Sequence, residues 1–110
     1  MTSEQPFTLV YAPLTREHLL AIEAKDRHLF RAAIEAQLLF EPASETRNRK
    51  PLKRVAIIDT ETATWEIRFG PDNRFRVFYE VDQAQHVVRI LALGEKKGNR
   101  LFVGGKEVRL

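Results

Sequence analysis

The residues of this 110-residue chain that could do chemistry are mostly basic, and they lie in three separate segments. The first, residues 47–54, has five basic residues among eight: Arg47, Arg49, Lys50, Lys53 and Arg54. The second consists of Arg68 and Arg76, and the third of Lys96, Lys97 and Arg100. Guanidinium and ammonium groups bind and stabilise phosphate. The predicted chemistry is therefore recognition of a phosphate-bearing or otherwise anionic partner.

The charge is distributed unevenly along the chain. Residues 1–44 carry four Lys/Arg against six Asp/Glu, whereas residues 45–110 carry fourteen against nine. The first part therefore has a net charge of −2 and the second a net charge of +5, which sum to the formal +3 of the whole. Such an asymmetry predicts an anionic partner for the C-terminal part.

Several other kinds of site find no support in the sequence. Cysteine is absent, which excludes disulfides and thiolate metal ligands, and His18, His28 and His86 do not have the spacing of a metal site. There is no glycine-rich phosphate loop followed by Lys-Ser/Thr and no GxSxG motif. We therefore expect neither metal nor cofactor. Without a long apolar window or a signal pattern, the chain is predicted to be a single cytoplasmic domain with no membrane partner.

The second basic segment lies within a predicted meander of three strands, between Trp65 and Leu93. In the first strand, apolar residues alternate with Glu66 and Arg68, so Arg68 is predicted to point away from the core. The sequence Gly-Pro-Asp-Asn at 70–73 predicts a reversal. Arg76 then falls on the face of the second strand that Arg68 occupies on the first. The third run, residues 87–93, is almost wholly apolar, which is typical of a central strand covered on both faces.

The N-terminal part is predicted to cover the apolar face of this sheet. Residues 7–11 have the composition of an edge strand. Two helices are expected at about 15–24 and 27–40, the second with an apolar stripe formed by Phe30, Ala33, Ile34 and Leu38. Pro42 ends that helix, and residues 41–54 are predicted to form a basic loop. Residues 55–58 fit either a strand or a structured loop.

The order of these motifs resembles the RelE/ParE toxin superfamily of bacterial type II toxin–antitoxin systems. The motifs that carry the resemblance are a helix hairpin followed by TRNRKPLK, WEIRFG, RFRVFYEV, VVRILAL and GEKKGNRLFVGG, over about residues 14 to 104. The resemblance implies an α+β fold with a two-helix hairpin packed on one face of a twisted antiparallel sheet of about four strands. It also implies that the active face lies on the side away from the helices.

The resemblance further implies a cognate antitoxin as partner and, for RelE-like members, cleavage of mRNA on the ribosome. ParE-like members inhibit DNA gyrase instead, and a degenerate member would only bind its antitoxin. Fold alone does not choose among these alternatives. By position, the residues implied for catalysis are Arg68, Lys96 and Lys53. Those implied for nucleic-acid binding are Arg47, Arg49, Lys50, Lys53, Arg76, Lys97 and Arg100. The chain departs from the RelE-type nucleases at Phe102, where they carry a catalytic tyrosine.

Overall fold

The structure, a computed structural model, describes residues 5–58 and 60–109 and confirms the expected α+β architecture. Within this part of the chain the sheet has seven strands, more than the four or so that were expected. The helices are α1 (Thr15–Leu20) and α2 (Arg27–Leu38), separated by a 3-10 turn at Ala24–Asp26. The strands are β1 (Thr8–Tyr11), β2 (Arg49–Ile58), β3 (Glu61–Phe69), β4 (Phe75–Asp82), β5 (Val87–Lys97), β6 (Arg100–Val103) and β7 (Lys106–Val108).

One of the additional strands comes largely from the segment that the sequence analysis treated as a basic loop. Much of the basic segment 47–54 belongs to β2, which pairs antiparallel with β3, so its assignment as a loop was wrong in part. Pro51 is compatible with this assignment because β2 is an edge strand of the sheet. At the other end, β5 continues to Lys97 and turns back into β6 and β7.

The sheet order is β2-β3-β4-β5-β6-β7, so the predicted meander is confirmed as β3-β4-β5. Strand β1 lies off this path and pairs in parallel with the first half of β5, from Thr8 opposite Val87 to Tyr11 opposite Ile90. Strand β6 pairs with the second half of β5, beginning at Gly94. Strands β1 and β6 therefore occupy the same edge of β5, one after the other.

The helices cover one face of the sheet, as the apolar stripe on α2 predicted. Phe30, Ile34 and Leu38 are buried there against the inward residues of β3, β4 and β5. Helix α1 ends at Leu20, earlier than expected, and the guanidinium of Arg27 donates hydrogen bonds to the carbonyl oxygens of Leu19, Leu20 and Ile22. These bonds satisfy carbonyl groups that a longer helix would have bonded internally.

The opposite face of the sheet, called the open face below, is only partly open. At one end it carries a second, smaller core of Ala56, Ala63, Phe78, Leu91 and Ala92. The β4–β5 register shifts between Phe78 and Tyr79, which leaves Leu91 as an extra residue in β5. Strand β5 is thus buried on both faces, which explains its nearly continuous apolar sequence. Glu66, Arg68 and Arg76 lie at the other end of the open face.

His18 lies at the junction between β1 and β6. Its side chain is buried, with 7% exposure, and its Nδ1 accepts a hydrogen bond of 3.3 Å from the backbone N–H of Leu93. Leu93 falls between Ile90, where β1 pairing ends, and Gly94, where β6 pairing begins. The imidazole therefore provides the acceptor that neither strand supplies.

This hydrogen bond should make the stability of the fold depend on pH. Burial lowers the pKa of His18, and the nearby carboxylate of Glu17 opposes this effect. The unfolded chain then takes up the proton first as the pH falls. The free energy of unfolding should decrease as the pH is lowered from about 6.5 through the folded-state pKa. Urea unfolding between pH 5 and 8 should show this decrease in the wild type but not in His18→Gln, whose neutral amide oxygen accepts the same bond. Identical pH profiles would contradict the assignment.

Candidate functional site

A cleft of about 610 Å³ opens on the open face, where β3, β4, β5 and the β6–β7 hairpin come together. Its charged lining contains five basic and two acidic residues: Arg68, Arg76, Lys96, Arg100, Arg109, Glu66 and Glu107. Two of the three predicted basic segments therefore meet here. A concave surface with an excess of positive charge favours anionic ligands.

The floor of the cleft is formed by β3 and β4. Arg68 of β3 lies directly opposite Arg76 of β4, and Glu66 precedes Arg68 by two positions on the same face. The expected placement of both arginines on the side away from the helices is confirmed. Strand pairing thus brings two guanidinium groups side by side, an arrangement that is destabilising unless a negative charge lies between them.

Glu66 supplies that negative charge. Its side chain is only 6% exposed, and its Oε1 accepts hydrogen bonds from Arg68, at 2.8 Å from Nε and 2.7 Å from a terminal nitrogen. A terminal nitrogen of Arg76 lies 3.8 Å from the other oxygen, Oε2. Sequence reasoning passed over Glu66 as an ordinary outward residue of β3. Its two-residue spacing from Arg68 was the signal that could have identified it.

Arg76 is held more rigidly than a surface arginine. Its side chain is 11% exposed, and its Nε donates a hydrogen bond of 3.1 Å to the carbonyl oxygen of Asn73. Burial lowers the pKa of the Arg76 guanidinium, and Arg68 lowers it further while Glu66 opposes both. An arginine nevertheless stays protonated at neutral pH. Arg76 therefore presents a fixed positive charge whose remaining N–H groups can bind an anion.

Lys96 reaches the cleft from β5. Its backbone N–H is bonded to the carbonyl oxygen of Arg74 at 2.7 Å, which fixes the strand at this point. Within residues 5–58 and 60–109, its ammonium group forms no ion pair. Gly94 lies directly opposite Arg76. Its lack of a side chain lets β6 pack closely, since a Cβ there would lie 2.9 Å from the backbone oxygen of Phe102. A larger residue at this position would push β6 away.

The first basic segment is divided by the pairing of β2 with β3. Lys50 is directly opposite Glu66, next to the cleft, and its ammonium lies 3.3 Å from Glu45. Lys53 and Arg54 are exposed in a bulge of β2, where the register shifts between Pro51 and Ala56, and neither lines the cleft. Arg47 is exposed in the turn before β2. The structure therefore does not bring Lys53 together with Arg68 and Lys96.

Arg49 requires a correction, because its guanidinium is buried and its residue is only 6% exposed. It lies opposite Ile67, on the face covered by the helices, and donates bonds of 2.6 Å to the carbonyl oxygens of Ser44 and Gln37. These contacts hold the segment after α2 against β2. Arg49 is not available to nucleic acid, so its assignment to that interface was wrong.

Phe102 and Lys97 are not among the residues that line the cleft. Phe102 is directly opposite Glu95 of β5 and Glu107 of β7, and Glu107 does line the cleft. The Lys97 ammonium sits 5.3 Å from the centre of the Phe102 ring. The correspondence of Phe102 with the catalytic tyrosine of RelE-type nucleases stays a prediction.

The described part of the chain adds little support for other kinds of site. No group of three or more His, Cys, Asp or Glu residues in it is arranged to hold a metal ion. None of the helices in that part is long and apolar enough to cross a membrane.

Comparison with known proteins supports the fold. No protein-family model matches the sequence, and a search of curated proteins finds no match. Among solved structures, the chain is similar to a chain of the toxin–antitoxin complex RelBE2 from Mycobacterium tuberculosis, with a TM-score of 0.59 and 21% sequence identity. The alignment covers 83% of this chain and 99% of that one. The RelE-like fold expected from the sequence is thereby confirmed.

Proposed function

We propose that this chain is the toxin of a type II toxin–antitoxin system and that it inhibits translation by cleaving mRNA on the ribosome. The observation that carries the proposal is the convergence of Arg68, Arg76 and Lys96 in one cleft on the open face of a RelE-like fold. We further propose that the protein acts in the cytoplasm and binds a cognate antitoxin. The similarity to a chain of a toxin–antitoxin complex supports that partner.

The cleft offers what cleavage of an RNA strand by its own ribose requires. In this reaction the 2′-oxygen attacks the adjacent phosphorus, negative charge builds up on the phosphate oxygens, and the 5′-oxygen leaves with a proton. Arg68 and Arg76 lie side by side and can hold the phosphate oxygens through paired N–H donors. We assign to Lys96 the donation of the proton to the leaving 5′-oxygen.

RNA outside the cleft would be bound by exposed basic residues at its margins. Lys50 lies beside the cleft, and Arg47, Lys53 and Arg54 are exposed along the same segment. Contacts of this kind hold the phosphate backbone without reading sequence, and salt weakens them. We therefore keep Arg47, Lys50 and Lys53 in the proposed RNA interface, add Arg54, and leave out Arg49 and Lys97.

Lys96 and its neighbour Lys97 provide a matched test of the proposal. Purified wild-type protein should cut a defined mRNA on programmed ribosomes and leave the same mRNA intact without them. Lys96→Ala should slow cutting by about 10²-fold, the lower end of the usual range for a proton-transfer group. Lys97→Ala should cut at the wild-type rate, because Lys97 packs on Phe102 outside the cleft.

A supercoiling assay with purified DNA gyrase tests the main alternative, that the chain inhibits gyrase. Inhibited supercoiling together with intact mRNA would replace this proposal with the gyrase-directed one. Intact mRNA and unaffected gyrase, with binding of the antitoxin encoded nearby, would leave a chain that only binds its antitoxin.

A further inference from the structure

The acidic residue at the centre of the cleft has a position that phosphate binding alone does not explain. An anion-binding site gains nothing from a buried carboxylate, which repels the ligand. Yet Glu66 is almost fully buried in the cleft floor, between Arg68 and Arg76. We propose that Glu66 is the catalytic base that removes the proton from the attacking 2′-hydroxyl of RNA. This inference rests on the function proposed above.

The two oxygens of the Glu66 carboxylate have different surroundings. Oε1 accepts both hydrogen bonds from Arg68, which fixes the orientation of the group. Oε2 accepts no hydrogen bond from residues 5–58 and 60–109, and its nearest cation is the terminal nitrogen of Arg76 at 3.8 Å. One oxygen is thus anchored while the other is available to a substrate hydroxyl. This arrangement suits a proton acceptor, which must be both positioned and unoccupied.

Among the described residues of the cleft, no other side chain is as suitable a proton acceptor as Glu66. The guanidinium and ammonium groups of the cleft are hydrogen-bond donors without an acceptor, and neither histidine nor tyrosine lines it. The second acid, Glu107, is partly exposed on β7 at the rim, with its oxygens 3.9 Å from Arg100 and 4.0 Å from Arg109. Among the described residues, Glu66 is therefore the proton acceptor nearest the two guanidinium groups that would hold the phosphate.

The residues in the cleft account for both proton transfers that the reaction requires. Glu66 takes the 2′-hydroxyl proton as the 2′-oxygen forms its bond to phosphorus. The bond from phosphorus to the 5′-oxygen breaks, and the 5′-oxygen takes a proton from the Lys96 ammonium. The products are a 2′,3′-cyclic phosphate and a 5′-hydroxyl. Glu66 then releases its proton to water and Lys96 regains one. Arg68 and Arg76 keep their protons throughout and neutralise the phosphate.

A purely structural role for Glu66, as the anion that keeps two arginines together, predicts different behaviour. In that case, removing the negative charge would loosen both arginines, weaken RNA binding and lower stability. As a base, Glu66 contributes to the rate and not to binding. The variant Glu66→Gln separates these roles because the amide keeps the size and one oxygen acceptor for Arg68 but cannot accept the proton.

The test uses programmed ribosomes and the full chain. Glu66→Gln should slow cleavage by about 10² to 10⁴-fold and bind RNA at least as tightly as the wild type. Glu66→Asp, which keeps the carboxylate on a shorter side chain, should retain more activity than Glu66→Gln. Glu80→Gln is the matched control, because Glu80 is also an outward carboxylate of the sheet but pairs with Arg89 outside the cleft, and it should cleave at nearly the wild-type rate.

The outcomes distinguish this inference from the proposed function. Equal cleavage by the wild type and Glu66→Gln would overturn the role of Glu66 while the mRNA-cleaving function stands. Weaker RNA binding and lower stability in both Glu66→Gln and Glu66→Asp, with equal rates in the two, would show a structural role and also overturn it. No cleavage by the wild type on ribosomes would overturn both.

Discussion

Arg76→Ala should slow ribosome-dependent mRNA cleavage by about 10² to 10³-fold, the usual cost of removing one preorganised donor from a developing negative charge. Arg76 has the properties such a donor requires. It is 11% exposed in the cleft floor, is anchored by its bond to the Asn73 carbonyl, and lies directly opposite Arg68. The bonds between Arg68 and Glu66 remain in the variant, so the fold should persist.

The measurement is the cleavage rate on programmed ribosomes, together with the thermal midpoint of each protein. Arg31→Ala is the control, because Arg31 is exposed on α2, on the opposite side of the sheet, and pairs only with Glu35 within the described residues. It should cleave like the wild type. A loss of rate in Arg76→Ala that accompanies unfolding, or an equal loss in Arg31→Ala, would contradict a role for Arg76 in the reaction.

Arg49→Met should lower the free energy of unfolding by about 2 to 4 kcal/mol, because two backbone carbonyl oxygens would each lose a hydrogen bond from a charged donor. These are the oxygens of Ser44 and Gln37, both 2.6 Å from the guanidinium. Methionine fills much of the same volume but provides no donor. The effect should therefore appear in stability, although Arg49 lies in the most basic segment of the chain.

The adjacent residue provides the control for this experiment. Lys50 is on the opposite face of β2, and its side chain is 41% exposed, so Lys50→Met should change stability by no more than about 0.5 kcal/mol. Urea unfolding of the two variants and the wild type makes the comparison. Similar stabilities for Arg49→Met and Lys50→Met would show that the buried network of Arg49 contributes little.

The sequence allowed the central part of the fold to be predicted because that part depends on local patterns. The alternation of Trp65, Ile67 and Phe69 with Glu66 and Arg68 assigned the two faces of β3 correctly. The turn at 70–73 and the stripe on α2 were equally local. The first half of β2 was missed because lysine and proline are poor strand formers. This segment is held in an extended conformation by its pairing with β3, which no local sequence pattern reveals.

Of the basic residues that line the cleft, the sequence analysis named Arg68, Arg76, Lys96 and Arg100 but not Arg109. Arg49 and Lys50 are adjacent and chemically alike, and the register of β2 against β3 decides which one is buried. Glu66 was missed because its significance depends on burial between two cations. Both outcomes depend on contacts between strands that are distant in sequence.

The pairing of β1 with β5 has a consequence for how the protein is made. Thr8 lies beside Val87, so this contact closes a loop of 79 residues (87 minus 8) that includes both helices and three strands. Contacts so distant in sequence form late and slow folding. During synthesis, β1 and the helices emerge well before β5, and the cleft cannot assemble until β5 brings Lys96 beside β4. Under the function proposed above, the growing chain would therefore be unable to cut mRNA until β5 has been made and has paired with β4.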